Sequence, residues 1–278
     1  MPSIQPNLPS GIVAFTRKLG GMPCVTEVIL FGSRARGDNR PDSDTDLLVL
    51  LDNATKDDRR QLNVMQEEFN RTNGVPVQLL GIVDSQVRRE LRAGYLPLYD
   101  AMIEGTSLYP DMGKPPRHRS EASLFSMDGA AAQWLAVAED SMASAEQGHE
   151  TLPASHPLAR FLHGYMPARV HRLAVAAVRS AMWTAYYLRG VRPDRAAALD
   201  ALANDLGWPT DSLRQLLAPV ASEDEADARR ATAIAVRYME LVRKLAANKG
   251  VRPKRISHDA IEAYRSILEK HESRLERI

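Results

Sequence analysis

The chain has 278 residues, 44% hydrophobic and 26% charged, with 36 Lys and Arg against 35 Asp and Glu for a formal charge of +1. That composition belongs to a globular protein of one large or two ordinary domains, and it gives no electrostatic case for general nucleic-acid binding. Cys24 is the single cysteine, so an intrachain disulfide framework and a cysteine-based zinc site are excluded and a reducing cytoplasm is expected.

The first residues, Met1 to Pro6, show no basic segment followed by an apolar run, and no eighteen-residue apolar stretch follows anywhere. No signal peptide and no membrane span are expected. Residues 1–11 read as a Pro-containing arm, and Ile12 to Leu19 as a short helix ended by Gly20-Gly21. Apolar runs predict strands over 25–31, 44–51 and 75–82. Between the last two, Thr55 is placed to cap a helix to about Asn70, with Leu62, Met65 and Phe69 at helical spacing. Residues 84–105 read as helical with a break from Gly94 to Pro97. The alternation predicts a small α/β domain with helices on a mixed sheet.

The stretch Tyr109 to Arg119 is polar, basic and rich in Pro and Gly, and reads as a linker. Domains are therefore expected at 1–110 and 123–278, joined by 111–122. After about Ser123 the chain reads as helix throughout, an all-α bundle. Ala130, Trp134, Val137, Ala138, Met142 and Ala145 form one stripe. Ala174, Ala177, Ala181 and Ala185, widened by Val178, Met182 and Leu188, form another over 169–188. Small residues at that spacing let helix axes approach closely. Further helices are predicted at about 194–206, 210–218, 224–247 and 257–276.

The chemistry concentrates after the first strand. Gly32-Ser33-Arg34-Ala35-Arg36-Gly37 follows the apolar run Val25 to Phe31. Small residues there let backbone N–H groups approach a phosphate, and the short helix behind them points its positive end at the same place. Asp44 and Asp46 stand two apart in the next strand, so their carboxylates share a face. Two such carboxylates beside a phosphate site call for a divalent cation, and Mg²⁺ takes hard oxygen ligands. Arg34 and Arg36, nearest Ser33, carry guanidinium forks suited to phosphate; Arg40 is farther off. Asp42 reads as a turn with Pro41 and Ser43.

The pattern Gly32-Ser33, ten residues, then Asp44-x-Asp46, with Arg34, Gly37, Ser43 and Leu47, resembles the signature of the DNA polymerase β-like nucleotidyltransferase superfamily. The likeness is to its minimal and antibiotic-modifying members and covers roughly residues 25–110. It implies a nucleoside triphosphate substrate, ATP or another NTP, and transfer of its monophosphate to a hydroxyl on a small molecule or protein. It also implies one or two Mg²⁺ ions on Asp44 and Asp46, with Gly32, Ser33, Arg34 and Arg36 at the phosphates. The family's third carboxylate falls at Gln78, which offers a carbonyl oxygen without charge and cannot act as a base. Asp84 substitutes only if the backbone turns back. Two readings stay open: a site working with two carboxylates, or a domain that binds nucleotide without turning it over.

The second half resembles the HEPN helical domains found beside minimal nucleotidyltransferases. The residues that carry this are Trp134-x3-Ala138-Glu139-Asp140 and Ala176 to Ala181 through Gly190. The resemblance implies an acceptor side and a homodimer face, or, with a degenerate first domain, a regulator of toxin–antitoxin type. Arg252 and His258 have the spacing of that family's ribonucleases, but Pro253 interrupts them and a basic connector fits better. Glu139 and Asp140 are the bundle's candidates for a general base. His163 and His171 read as packing or polar surface, Trp183 and Tyr187 as a core pair, and the basic run from Arg243 to Arg255 as a solvated face or a contact for an RNA or an acidic partner.

Overall fold

A computed structural model describes residue 8 and residues 10–40, 43–73, 75–148, 166–193, 197–217 and 225–256, with 261 and 264. The chain divides into two compact units, Met1–Ser126 and Met127–Ile278. The first unit is built on a four-stranded sheet of order β3-β2-β1-β4. Its strands are β1 (Val25–Phe31), β2 (Thr45–Leu51), β3 (Val77–Val83) and β4 (Thr106–Tyr109). β1 runs antiparallel to β2 and β4, and β2 runs parallel to β3.

Alternation along the strands sorts the side chains to two faces. Val28, Leu30, Leu47, Val49 and Leu51 pack with Ile12, Phe15 and Leu19 of α1 (Ser10–Gly20) and with Leu62, Met65 and Phe69 of α3 (Lys56–Thr72). Ile29, Leu48 and Leu50 pack on the other face with α4 (Val87–Arg92) and α5 (Leu96–Glu104) through Val87, Leu91, Leu98, Ala101 and Met102. Both faces of β2 are thus covered, which is why its sequence reads as an unbroken apolar run. Fully burying each such side chain stabilises the fold by about 1.5–3 kcal/mol. Between β1 and β2 lies α2 (Ser33–Arg36), a single turn.

The helix expected to start at Thr55 does so. The Thr55 hydroxyl accepts from the Asp58 amide at 3.1 Å, and the Asp58 carboxylate accepts from the Thr55 amide at 2.8 Å, a reciprocal cap. β4 falls between the helix expected to end at 105 and the linker expected from Tyr109, a stretch given no element because four residues before Pro110 show no readable alternation. Residues 111–122 hold Arg117 in ion pairs with Glu27 and Asp84, Glu121 in an ion pair with Arg88, and His118 against Asp84 and Glu121, and include most of a 3-10 segment, Arg119–Leu124. The contact division falls after Ser126.

The second unit is helical: α6 (Met127–Gln147), α7 (Met166–Leu188), α8 (Leu199–Leu206), α9 (Asp211–Leu216) and α10 (Glu225–Asn248). α7 packs on α6 and on α10. Both predicted stripes are buried, Ala130 to Ala145 on α6 and Ala174 to Ala185 on α7. Trp134 and Trp183 meet edge to face at 4.6 Å, and Trp134 meets Tyr264 at 4.8 Å. Trp183 and Tyr187 are buried, the packing role expected of them. Of the helix expected over 257–276 only Ile261 and Tyr264 are described, and His258 and His163 lie outside the described residues. Among the described residues no helix is long and apolar enough to cross a membrane.

Candidate functional site

The site grows from the end of β1. Gly32 follows Phe31 with φ +73°, a conformation that disfavours side chains, and a Cβ there would stand 2.5 Å from Asp46 Oδ2. Glycine is therefore favoured by the turn itself, and it lets the Asp46 carboxylate lie against the backbone. α2 then closes through Arg36 N–H to Gly32 O at 3.1 Å and ends at Gly37, φ +78°. One turn carries little macrodipole, so any attraction for phosphate at Gly32 and Ser33 rests on local backbone N–H groups.

Asp46 sits on the second residue of β2 and Asp44 one residue before the strand starts. Asp46 is in register with Phe31 on β1 and with Gln78 on β3. Phe31 packs toward the α4 and α5 face, as do Leu48 and Leu80, two residues beyond Asp46 and Gln78. Asp46 and Gln78 therefore stand side by side on that face, beside the glycine turn. The alignment that put Gln78 at the expected third carboxylate is thus matched by the strand register.

Asp84 goes elsewhere. β3 continues unbroken to Val83, so Asp84 lies six residues along the strand, roughly 20 Å from Gln78. There it pairs with Arg117 and with His118 Nε2, the latter at 2.8 Å. It belongs to a second charged cluster that the sequence did not reveal. Glu27, 3% exposed on β1, accepts the Arg117 amide at 3.3 Å, and its Oε2 lies 3.6 Å from Arg117 Nε. Burial pushes the Glu27 carboxyl above its usual value against the opposing pull of these donors. His118 Nδ1 lies 3.3 Å from Glu121, which meets Arg88 at 3.1 Å. This cluster occupies the opposite end of the sheet from Asp46.

The arginines are engaged with protein groups. Arg34 donates from Nε to Asp44 O at 3.1 Å and from Nη2 to Ser43 O at 2.5 Å. Arg36 pairs with Glu104 at 2.6 Å and Asp38 at 3.3 Å. The Arg40 amide donates to the Ser43 hydroxyl at 2.9 Å; Asp42 is outside the described residues. In the second unit, the Arg243 guanidinium donates to both carboxylate oxygens of Glu139. His171 Nε2 reaches Leu216 O at 2.7 Å, and burial lowers its pKa.

Among the described residues no group of three His, Cys, Asp or Glu is arranged to hold a metal ion. Asp46 and Gln78 place a carboxylate and an amide oxygen, both hard donors, beside the glycine turn, where a Mg²⁺ shared with phosphates would find oxygen ligands in place of a closed cage.

No curated protein matches the chain. Among solved structures, a nucleotidyltransferase-like protein from Exiguobacterium sibiricum 255-15 is similar over 96% of this chain and 91% of its own, at 12% identity and a TM-score of 0.40. Residues 10–99, about a third of the chain, match the family model described as nucleotidyltransferase domain, and they span the glycine turn, both aspartates and Gln78.

Proposed function

We propose that the protein transfers a nucleoside monophosphate, AMP from ATP, to a hydroxyl acceptor on a small molecule or protein, with Mg²⁺ bound at Asp44 and Asp46. The observation that carries this is the contact between Gly32 and Asp46, which joins a tight backbone turn to an acidic strand start. The acceptor hydroxyl oxygen bonds to the α-phosphorus and gives up its proton to water while the bond to the bridging oxygen breaks, and pyrophosphate leaves with the electron pair. Gly32 and Ser33 cradle the β- and γ-phosphates, and Asp44 and Asp46 face the same charge. The second unit, HEPN-like in this reading, provides a homodimer face. The lone buried Cys24 suits a reducing cytoplasm.

Gln78 favours a second reading, a nucleotide-binding regulator of toxin–antitoxin type that does not turn nucleotide over. Its amide stands in register with Asp46, where a charged neighbour would strengthen the metal site and accept a proton. Calorimetry with ATP and Mg²⁺ on the wild type and on Asp44→Ala/Asp46→Ala tests the nucleotide site. Binding by the wild type that vanishes in the double variant supports both readings, and no binding by the wild type to any nucleotide overturns both. Label transfer from α-labelled ATP then separates them. Gln78→Glu is expected to tighten Mg²⁺ binding by about tenfold, and an unchanged affinity would place residue 78 outside the metal's reach.

A further inference from the structure

We propose that Arg34 is a positioning residue for Asp44: its guanidinium fork fixes the two peptide groups that lead into β2 and so sets where the Asp44 carboxylate stands. The functional meaning of this rests on the nucleotide site proposed above, while the brace itself rests on geometry alone. An arginine two residues after Gly32 would be expected to reach for phosphate. Its Nε and Nη2 instead take the consecutive carbonyls of Asp44 and Ser43, at 3.1 and 2.5 Å.

The need for such a brace follows from where the strand begins. Asp46 is inside β2, paired on both sides, and the sheet holds it. The first pinned group of the strand is Thr45, whose amide donates to Pro76 O at 2.8 Å. Asp44 lies one residue outside that ladder. On its other flank the chain is tied by the Ser43 amide to Arg40 O at 3.1 Å and the Arg40 amide to the Ser43 hydroxyl at 2.9 Å. Between those ties the Arg34 fork does for Asp44 what the sheet does for Asp46. Two carboxylates meant for one cation need fixed separation, and of the two residues only Asp46 is paired within the sheet. A planar fork can close on two successive carbonyls at once, whereas a lysine ammonium on a flexible stem cannot hold both in one geometry. Arg36 shows the same habit, tying the turn to Glu104 at the end of α5 at 2.6 Å.

The test uses Arg34→Lys and Arg34→Gln in the full chain, with a thermal melt to show that each folds. If Arg34→Gln does not fold, the lysine variant carries the test. Amide hydrogen exchange over residues 43–46, without any ligand, is expected to quicken by about tenfold or more in Arg34→Lys. The Mg²⁺ concentration giving half-maximal ATP binding is expected to rise by about tenfold, with ATP affinity in excess EDTA held within about twofold. Unchanged exchange over 43–46 overturns the brace. A tenfold loss of ATP affinity in EDTA with an unchanged Mg²⁺ requirement also overturns the proposal and makes Arg34 a phosphate contact. A wild type that binds no nucleotide removes the reading of the site, and the exchange measurement still judges the brace.

Discussion

Gly32 is the residue at which the local backbone and the acidic strand constrain each other. Gly32→Ala places a methyl group against the Asp46 carboxylate and forces a side chain into a positive-φ conformation. The strain alone is worth about 1–3 kcal/mol, so a lower melting temperature together with weakened Mg²⁺-ATP binding is expected. A variant that melts and binds like the wild type would show that Asp46 has room to move. Two titrating groups, Glu27 buried and His171 half-buried, give opposite pH responses. Glu27 has a folded pKa above its ordinary 4.5, so its contribution is full below pH 4.5 and is lost as pH rises through the folded value. His171 has a folded pKa below its ordinary 6.5, so its contribution is full above pH 6.5 and is lost as pH falls through the folded value. Urea midpoints across pH 4 to 8 should lose their alkaline decline in Glu27→Gln and their acid decline in His171→Gln; a slope that survives either change assigns it to another group. At this scale the glycine turn was legible, because residue type and spacing dictate it. The engagements of Arg34 and Arg36 were not. Glu104 lies 68 residues from Arg36, and no local pattern announces it.

The elements themselves were legible where period and cap agreed. α3 shows both: an apolar stripe at helical spacing and Thr55 with Asp58 as a reciprocal cap. Thr55→Ala removes two of the cap's hydrogen bonds and is expected to cost about 1 kcal/mol, read as a lower urea midpoint with unchanged nucleotide affinity. A variant with wild-type stability would mean that water replaces the cap at no net cost. β2 was legible as a strand because apolar residues fill both its faces, but its exact start was not. That one-residue difference leaves Asp44 outside the sheet. β4 and the Glu27 cluster escaped for a common reason: their partners come from distant segments. A glutamate inside Val25–Phe31 carries no sign of burial until Arg117 arrives from 90 residues away.

On the scale of the whole molecule, each unit has its own core and its own reporter. All three tryptophans, Trp134, Trp183 and Trp208, lie in the second unit, while the single cysteine, Cys24, is buried in the first. Tryptophan emission and Cys24 labelling in urea therefore follow different cores, and their transitions are expected to fall at different midpoints. Coincident curves would show that the two cores unfold as one. Length and composition allowed one large domain or two; the change from alternating elements to unbroken helix is what suggested two.

The parallel pairing of Asp46 with Gln78 has a genetic corollary. Glutamine and glutamate codons differ in their first base alone, so one point mutation adds a negative charge at that rung and leaves the backbone untouched. A lineage carrying this sheet stands a single nucleotide from a third acidic side chain beside Asp46. Selection on a binding role and selection on a transfer role would thus act on neighbouring alleles of the same gene.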